Sequence, residues 1–269
     1  MKKSQLIMLV AAVLCCAAAS VSCKKDSEDS LADKLMGRWM VEAANGDPIP
    51  TDEKLVVNFA SPTQAYLSAL YSADPAFREV KMQKQVNDVV FDGNSVSLTH
   101  RYTQQTVMKT TFQIYTVSRI YTVNKRVFDA DQALDLTLKE EEIHTVQKSV
   151  RYVKVDKDES QSIIGTWQGR CTSDGSAYDD GEEHRWQYLP DGSFVYYVKD
   201  GDNWVPGENT VSEYFVDGVL LCTRWESGEL EFQEAWEVSI NDSQMNWRAL
   251  RQREDGSTFT VTFEMNRVL

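Results

Sequence analysis

The chain has 269 residues, and 41 acidic against 28 basic side chains give it a formal net charge of −13 at pH 7. Because such a surface repels phosphate backbones and no basic stripe offsets it, the composition excludes nucleic-acid binding. The length fits one large domain or two small ones, and internal repeats decide between them.

The N-terminus predicts export. Lys2 and Lys3 precede an apolar run from Leu6 to Ala19, and small residues continue to Ser22. This order of positive, apolar and small segments is typical of a secretory signal peptide, here residues 1–22. The apolar run is too short to be a good membrane-spanning helix.

The next residue predicts a lipid anchor. Ser22 directly precedes Cys23 at the end of the apolar segment, which resembles the lipobox of bacterial lipoproteins. Ser20 stands where a leucine is usual, and this relaxed form resembles lipoproteins of the Bacteroidetes. The resemblance implies that Cys23 is lipidated and that the protein is attached to the outer membrane through its lipid. Each buried methylene of an acyl chain contributes roughly 0.8 kcal/mol to such attachment.

Residues 23–33 predict a flexible tether. The stretch from Lys24 to Ser30 is polar and charged, and such a composition cannot bury a core. A lysine followed by acidic residues also resembles the surface-export signal of Bacteroidetes lipoproteins, which implies exposure at the cell surface. A tether without sorting content is the alternative.

Residues 34–155 predict a first all-β domain. Thr63–Tyr71 and Ala76–Lys84 are the only two stretches that could be helical. Strand-like runs occupy Lys54–Phe59, Asn87–Phe91, Ser95–Arg101, Val107–Val123, Leu134–Leu138 and Ser149–Val155.

Residues 161–269 predict a second β domain after a polar break, typical of a linker, at Asp156–Ser160. Apolar and polar residues alternate along Trp236–Ile240, Met245–Ala249 and Phe259–Met265, which is the pattern of strands with one buried face. Asp-Gly pairs, such as Asp217-Gly218, separate the runs and favour tight hairpin turns.

The two halves begin alike. Gly37-Arg38-Trp39 and Gly165-Thr166-Trp167 lie 128 positions apart, and an Asp-Gly turn follows each tryptophan after about fifty residues. Two tandem antiparallel meanders explain this repeat, and a meander of so many strands avoids exposed edges most simply by closing into a barrel.

A Gly-x-Trp motif before such a meander resembles the lipocalin and lipocalin-like families of ligand-binding barrels. The resemblance implies that Trp39 and Trp167 pack under the floor of each barrel, which is a structural role. The run Glu213–Trp225 resembles uncharacterised lipocalin-like domains of Bacteroidetes lipoproteins, a family that implies no established reaction.

The aromatic residues of the second half are candidates for ligand binding. Barrels of about eight strands can hold one small molecule, whereas any single tryptophan is more simply explained as packing that fills a small barrel. Trp204 lies in a predicted loop, where it could stack on a sugar or a partner, or simply pack in a hairpin. The candidates are Trp186, Tyr188, Trp204, Trp225, Trp236 and Trp247.

Two further features leave alternatives open. Cys171 and Cys222 could form a disulfide after export, or could be buried thiols on strands. The segment from Ser173 to His184 gathers five carboxylates and a histidine, and is either a calcium loop of unfamiliar spacing or a solvated acidic loop.

The sequence gives catalysis little support. None of the three histidines lies beside an evident nucleophile, and no nucleophile elbow, zinc helix or phosphate loop occurs. We therefore expect a non-catalytic, lipid-anchored envelope protein, without cofactor or metal, that binds a small apolar or amphipathic ligand in a barrel. The alternative is a structural or interaction lipoprotein with packed barrels that binds a glycan or a protein through its loops.

Overall fold

The structure is a computed structural model, and it describes residues 30–70, 85–101, 106–116, 119–129, 148–173, 178–209 and 211–268. The predicted signal peptide, Cys23 and most of the predicted tether lie outside the described residues. So do Ala76–Lys84, which could be helical by sequence, and the strand predicted over Leu134–Leu138.

A short helix lies where the predicted tether ends. Helix α1 (Leu31–Leu35) begins at a capping box, in which the Ser30 hydroxyl accepts the backbone N–H of Asp33 and the Asp33 carboxylate accepts that of Ser30. Leu35 is fully buried. Leu31–Asp33, which the sequence predicted to be part of the tether, therefore lie in a helix.

Most of the described residues are in antiparallel strands, which confirms the all-β class. A 3-10 helix (Thr51–Glu53) accompanies α1. The strands are β1 (Gly37–Ala44), β2 (Asp47–Pro48), β3 (Leu55–Ser61), β4 (Gln64–Ala69), β5 (Gln85–Asp92), β6 (Ser95–Arg101), β7 (Thr106–Thr116), β8 (Arg119–Asp129), β9 (Lys148–Val155), β10 (Gly165–Cys171), β11 (His184–Tyr188), β12 (Phe194–Asp200), β13 (Asn203–Pro206), β14 (Val211–Asp217), β15 (Leu220–Ser227), β16 (Leu230–Asn241), β17 (Gln244–Gln252) and β18 (Thr258–Val268).

The first compact unit is built on a nine-stranded sheet in the order β2-β1-β3-β4-β5-β6-β7-β8-β9, and β9 pairs in turn with β1. This last pairing closes the sheet into a barrel. Two sequence predictions are corrected here. Thr63–Tyr71, which could be helical by sequence, contains strand β4, and the single run Val107–Val123 divides into β7 and β8.

The second compact unit comprises Ile49–Leu55, Ala69–Tyr71 and Val155–Leu269. Its nine-stranded antiparallel sheet runs in the order β13-β12-β11-β10-β18-β17-β16-β15-β14. The sheet curls so that its end strand β14 meets the residues just before β12, where Ser193 forms a β-bridge with Glu213 and the Tyr214 N–H donates to the Gly192 carbonyl at 2.7 Å. Its inner face is the core of the unit.

The 3-10 helix fills a gap in this second sheet. Pairing of β16 with β17 stops at Glu237 and Arg248. Beyond that point the Ala235 N–H donates to the Asp52 carboxylate at 2.9 Å, and the Leu250 N–H donates to the Thr51 hydroxyl at 2.8 Å. Side chains of the 3-10 helix thus replace the ladder bonds that the separating strands lose.

Part of the predicted linker packs into the second unit. Asp156 and Asp158 are exposed, but Glu159 is buried. Its carbonyl accepts the Ile163 N–H at 3.0 Å and its carboxylate accepts the Ile240 N–H at 3.3 Å. The segment is therefore more than a solvated spacer.

Candidate functional site

The second unit contains a cavity of about 460 Å³. This volume lies within the range of about 300–1,000 Å³ found for small-molecule sites. Its lining comes from the inner face of β11, β12 and β15–β18 and from the segments before β11 and β14: Tyr178, Asp180, His184, Trp186, Tyr188, Phe194, Tyr196, Asn209, Thr223, Trp225, Ser227, Phe232, Glu234, Trp236, Trp247 and Phe263.

Strand β16 shows how the cavity opens. Alternate side chains of a strand point to the same face, so Leu230, Phe232, Glu234 and Trp236 share the inner face. Trp236 is 1% exposed, whereas Phe232 is 39% and Leu230 is 64% exposed. The cavity is therefore closed at Trp236 and open toward Leu230.

A cluster of rings forms the closed end. Trp247 lies at its centre, with ring centroids 4.7 Å from Trp186, 5.3 Å from Trp236 and 5.8 Å from Phe263. Tilted and edge-on arrangements at these distances are favourable for aromatic pairs. The rings hold one another in place, so this wall exists before a ligand arrives.

Trp225 and Phe232 form the aromatic part of the mouth. They are cross-strand partners on β15 and β16, and their rings stack with centroids 5.4 Å apart and planes 12° apart. Both line the cavity, and Phe232 is partly exposed. A ligand that enters along β16 would meet this stacked pair before the inner cluster.

Glu234 is the acidic group in the wall. Its carboxylate accepts the Tyr178 hydroxyl at 3.1 Å and the Trp236 indole N–H at 3.2 Å. Burial raises the pKa of Glu234, and the positive charge of Arg251 opposes this shift. Desolvation and the nearby Glu234 charge raise the pKa of Tyr178 to about 12, so its phenol remains a neutral donor.

Arg251 lies behind this wall. Its guanidinium is 4.4 Å from the centroid of the Trp236 ring, and it donates to the Asp52 carboxylate at 2.6 Å and to the Ala235 carbonyl at 2.9 Å. Arg251 is 5% exposed. The 3-10 helix therefore supplies the anion that a buried arginine needs.

A second polar group borders the cavity at His184. Its Nε2 lies 3.2 Å from an Asp180 carboxylate oxygen and its Nδ1 lies 3.0 Å from the Tyr196 hydroxyl. The ring also stacks on Trp186 with centroids 5.4 Å apart. Hydrogen bonds, first from the backbone of Glu182, lower the pKa of Asp180, which stays ionised.

Five of the six predicted ligand residues line the cavity: Trp186, Tyr188, Trp225, Trp236 and Trp247. Trp204 does not. It lies on strand β13 instead of in a loop, and Arg185 and Lys199 lie 4.7 Å and 6.0 Å from its ring centroid. Its strand partner Lys199 is on the face opposite to the cavity-lining Tyr196, so the indole packs outside the cavity.

The disulfide considered for Cys171 and Cys222 is absent, because both residues are buried thiols. Cys171 is on β10 and Cys222 on β15, and three strands lie between them in the sheet. A disulfide needs Cα atoms within about 7 Å. Burial raises the pKa of the Cys222 thiol well above its ordinary value, so it is an unreactive core residue.

The acidic segment before β11 contributes to the cavity through Tyr178, Asp180 and His184, while residues 174–177 lie outside the described residues. No group of three or more potential metal ligands occurs among the residues that the structure describes. Likewise, none of the helices in the described ranges has the length and apolar character needed to cross a membrane.

Sequence reasoning missed several cavity residues. Glu234 and Phe232 continue the alternation of Trp236 and Val238 by two and four positions, so the strand period alone could have identified them. Phe263 lies in the alternating run Phe259–Met265, which predicts burial but does not distinguish a cavity wall from a packed core. Tyr178 and Asn209 lie outside strands, where no periodic signal exists.

Comparisons with known proteins do not assign the chain to a family. No protein-family model and no curated protein matches the chain. Among solved structures, a protein of unknown function from the DUF3598 family of Nostoc punctiforme is similar at 11% identity, with 89% of this chain and 100% of that chain covered and a TM-score of 0.25. A variant of transferrin-binding protein B from Haemophilus parasuis is similar at 7% identity, with 80% and 64% covered and a TM-score of 0.23. Likeness at these TM-scores carries no argument about fold or function.

Proposed function

We propose that this protein is a lipid-anchored protein of the bacterial cell envelope whose second unit binds a small apolar or amphipathic molecule without catalysing a reaction on it. The observation that carries the proposal is the aromatic cavity of about 460 Å³ that is closed at Trp236 and open toward Leu230. Such a volume and lining suit a small ligand with an apolar body.

The test is uptake of a hydrophobic fluorescent dye by the folded full-length protein. We expect saturable binding that Trp225→Ala weakens several-fold, because the stacked pair at the mouth is lost. Trp204→Ala is the matched control, since its indole lies outside the cavity, and it should leave dye affinity unchanged. A folded protein that takes up no dye would overturn the proposal.

The anchor is a separate part of the proposal, and it rests on the resemblance of Ser22-Cys23 to the lipobox. Cys23→Ser should abolish incorporation of a labelled fatty acid and release the protein from the outer-membrane fraction. Ser27→Ala, a few residues further along the chain, is the control and should leave both unchanged. Incorporation that persists in Cys23→Ser would contradict the anchor.

A second candidate function is binding of a glycan or protein partner on the outer face of the second sheet. It is favoured by the Trp204 indole, which is partly exposed and flanked by Arg185 and Lys199. Glycan-array binding that Trp204→Ala abolishes and Trp225→Ala leaves intact would support this candidate over the cavity.

A further inference from the structure

The charged groups that line the cavity are mainly acidic. Asp180 and Glu234 line it together with His184, and none of the described lining residues is a lysine or an arginine. Ten of the lining side chains are Trp, Tyr or Phe. Because aromatic ring faces carry the negative part of the ring quadrupole, rings and carboxylates together attract a cation.

Arg251 does not cancel the negative potential that the rings and carboxylates produce in the cavity. It lies behind the Trp236 ring instead of lining the cavity, and its guanidinium is 2.6 Å from the Asp52 carboxylate. The two charges of this pair offset each other at short range. Glu234 is left as an acid whose own hydrogen-bond partners, Tyr178 and Trp236, are both neutral.

The shape of the site suits a molecule with a charged and an apolar part. Glu234 lies between the inner cluster at Trp236 and the stacked pair at the mouth. A cationic group beside Glu234 could contact the carboxylate and ring faces together. An apolar group would then fill the remaining aromatic space.

We propose that the ligand of this cavity is an amphipathic organic cation, meaning an alkyl or aryl body that carries a quaternary or protonated amine. This inference rests on the proposed function of the same cavity. A carboxylate or sulfate on the same body would face Glu234 and Asp180 and bind more weakly, and an uncharged analogue would lose the cation contribution.

The test compares three probes with one body, namely octyltrimethylammonium, octanol and octanoate, binding to the full-length protein below their micelle concentrations. Calorimetry and tryptophan fluorescence give the affinities. We expect the ammonium probe to bind about tenfold more tightly than octanol, as expected for a partly desolvated cation on aromatic faces, and octanoate to bind most weakly.

Variants test whether the preference for the ammonium probe arises at the cavity residues. Glu234→Gln should remove most of the preference for the ammonium probe, whereas Glu264→Gln, an exposed acid beside Phe263 on β18, should not. If Glu234→Gln fails to fold, Phe232→Leu at the exposed mouth serves instead. It keeps an apolar side chain but removes a ring face, so ammonium affinity should fall more than octanol affinity.

The possible results separate the two proposals. If octanol or octanoate binds as tightly as the ammonium probe, the cation inference is wrong and the cavity remains a binding site. If none of the probes binds to the folded protein, both proposals are wrong. An ammonium preference that Glu234→Gln and Phe232→Leu leave intact would also overturn the inference, because the cation would then bind elsewhere.

Discussion

Glu234 lines the cavity and also affects the stability of the second unit. Its carboxyl lies among rings, and burial raises its pKa above the ordinary value of 4.5 despite the nearby Arg251. The folded protein therefore holds this proton to a higher pH than the unfolded chain does. Between the two pKa values the native state binds more protons, so this residue makes the free energy of unfolding fall as pH rises.

Glu234→Gln should remove that contribution. The amide is uncharged at every pH and its oxygen can still accept from Tyr178, so the variant should gain stability relative to the natural protein as pH rises above 4.5. Chemical denaturation at a series of pH values measures the effect. Glu264→Gln is the exposed control, and identical pH slopes for the natural protein and Glu234→Gln would contradict the argument.

Two side chains of the 3-10 helix stabilise the place where strands β16 and β17 separate. Thr51 and Asp52 accept the N–H groups of Leu250 and Ala235, and Asp52 also pairs with the buried Arg251. Removing Asp52 would leave the charge of the buried Arg251 without its anionic partner.

Asp52→Ala should therefore lower the free energy of unfolding by about 3 kcal/mol. Asp52→Asn retains an oxygen acceptor for the Ala235 N–H and should cost less. Asp47→Ala, an exposed acid in β2, should have little effect. Urea denaturation measures all three, and equal stability of Asp52→Ala and Asp47→Ala would show that the 3-10 helix does not stabilise the gap.

Strands β10 and β18 approach closely at Gly169. A Cβ atom at this position would lie 1.9 Å from the Glu264 carbonyl oxygen and 2.7 Å from the Met265 Cα. Both are backbone atoms, which cannot move aside as a flexible side chain can. The absence of a side chain at residue 169 is therefore a packing requirement of the pairing between β10 and β18, which are the first and last strands of this sheet in chain order.

Gly169→Ala should destabilise the protein by about 3 kcal/mol, at the upper end of the cost of overpacking. Thermal unfolding is the measurement. Gly201→Ala is a useful comparison, because its Cβ would meet nothing within 4 Å and only the positive φ of +60° would be strained. If the two variants unfold at the same temperature, the strands can separate more easily than the structure indicates.

The strands show what the sequence could and could not predict. Period-two alternation located β16, β17 and β18 and oriented Trp236 and Trp247 inward, because burial of one face leaves a local pattern. Residues 49–55 left no such pattern, since their partners Ala235, Leu250 and Arg251 lie almost two hundred positions away. The sequence also predicted a loop at Trp204, because the Asp200-Gly201 pair that precedes it is common both in loops and in hairpin turns.

At the scale of the whole molecule, both units contain the same arrangement around the tryptophan of their first strand. The Trp39 indole donates to the Leu35 carbonyl at 2.8 Å, and the Trp167 indole donates to the Ile163 carbonyl at 2.7 Å. Both rings are buried, and each glycine two positions before has a positive φ. Lys154 and Arg267, each on the last strand of its unit, lie 5.8 Å and 4.1 Å from the respective ring centroids. The Gly-x-Trp repeat thus marks the same structural element at the first strand of each unit, and neither tryptophan lines the cavity.

The division of the chain suggests a last prediction. A cut between the halves of the sequence separates residues 155–269 from Ile49–Leu55, although both belong to the second unit. The fragment 155–269 would leave Ala235, Leu250 and Arg251 without the acceptors of the 3-10 helix, and also Glu237 without Lys54, which lies 2.7 Å away. We expect it to be less stable than the same unit in the intact chain by about 3–5 kcal/mol.

A peptide of residues 47–57 added to this fragment should restore part of the loss, because a ligand that binds the folded state alone raises the apparent stability. The same peptide with Thr51→Ala and Asp52→Ala is the matched control and should not. The shift in the thermal midpoint with peptide concentration is the measurement. A fragment that is as stable as the intact unit, or that responds equally to both peptides, would mean that the gap between β16 and β17 closes without the 3-10 helix.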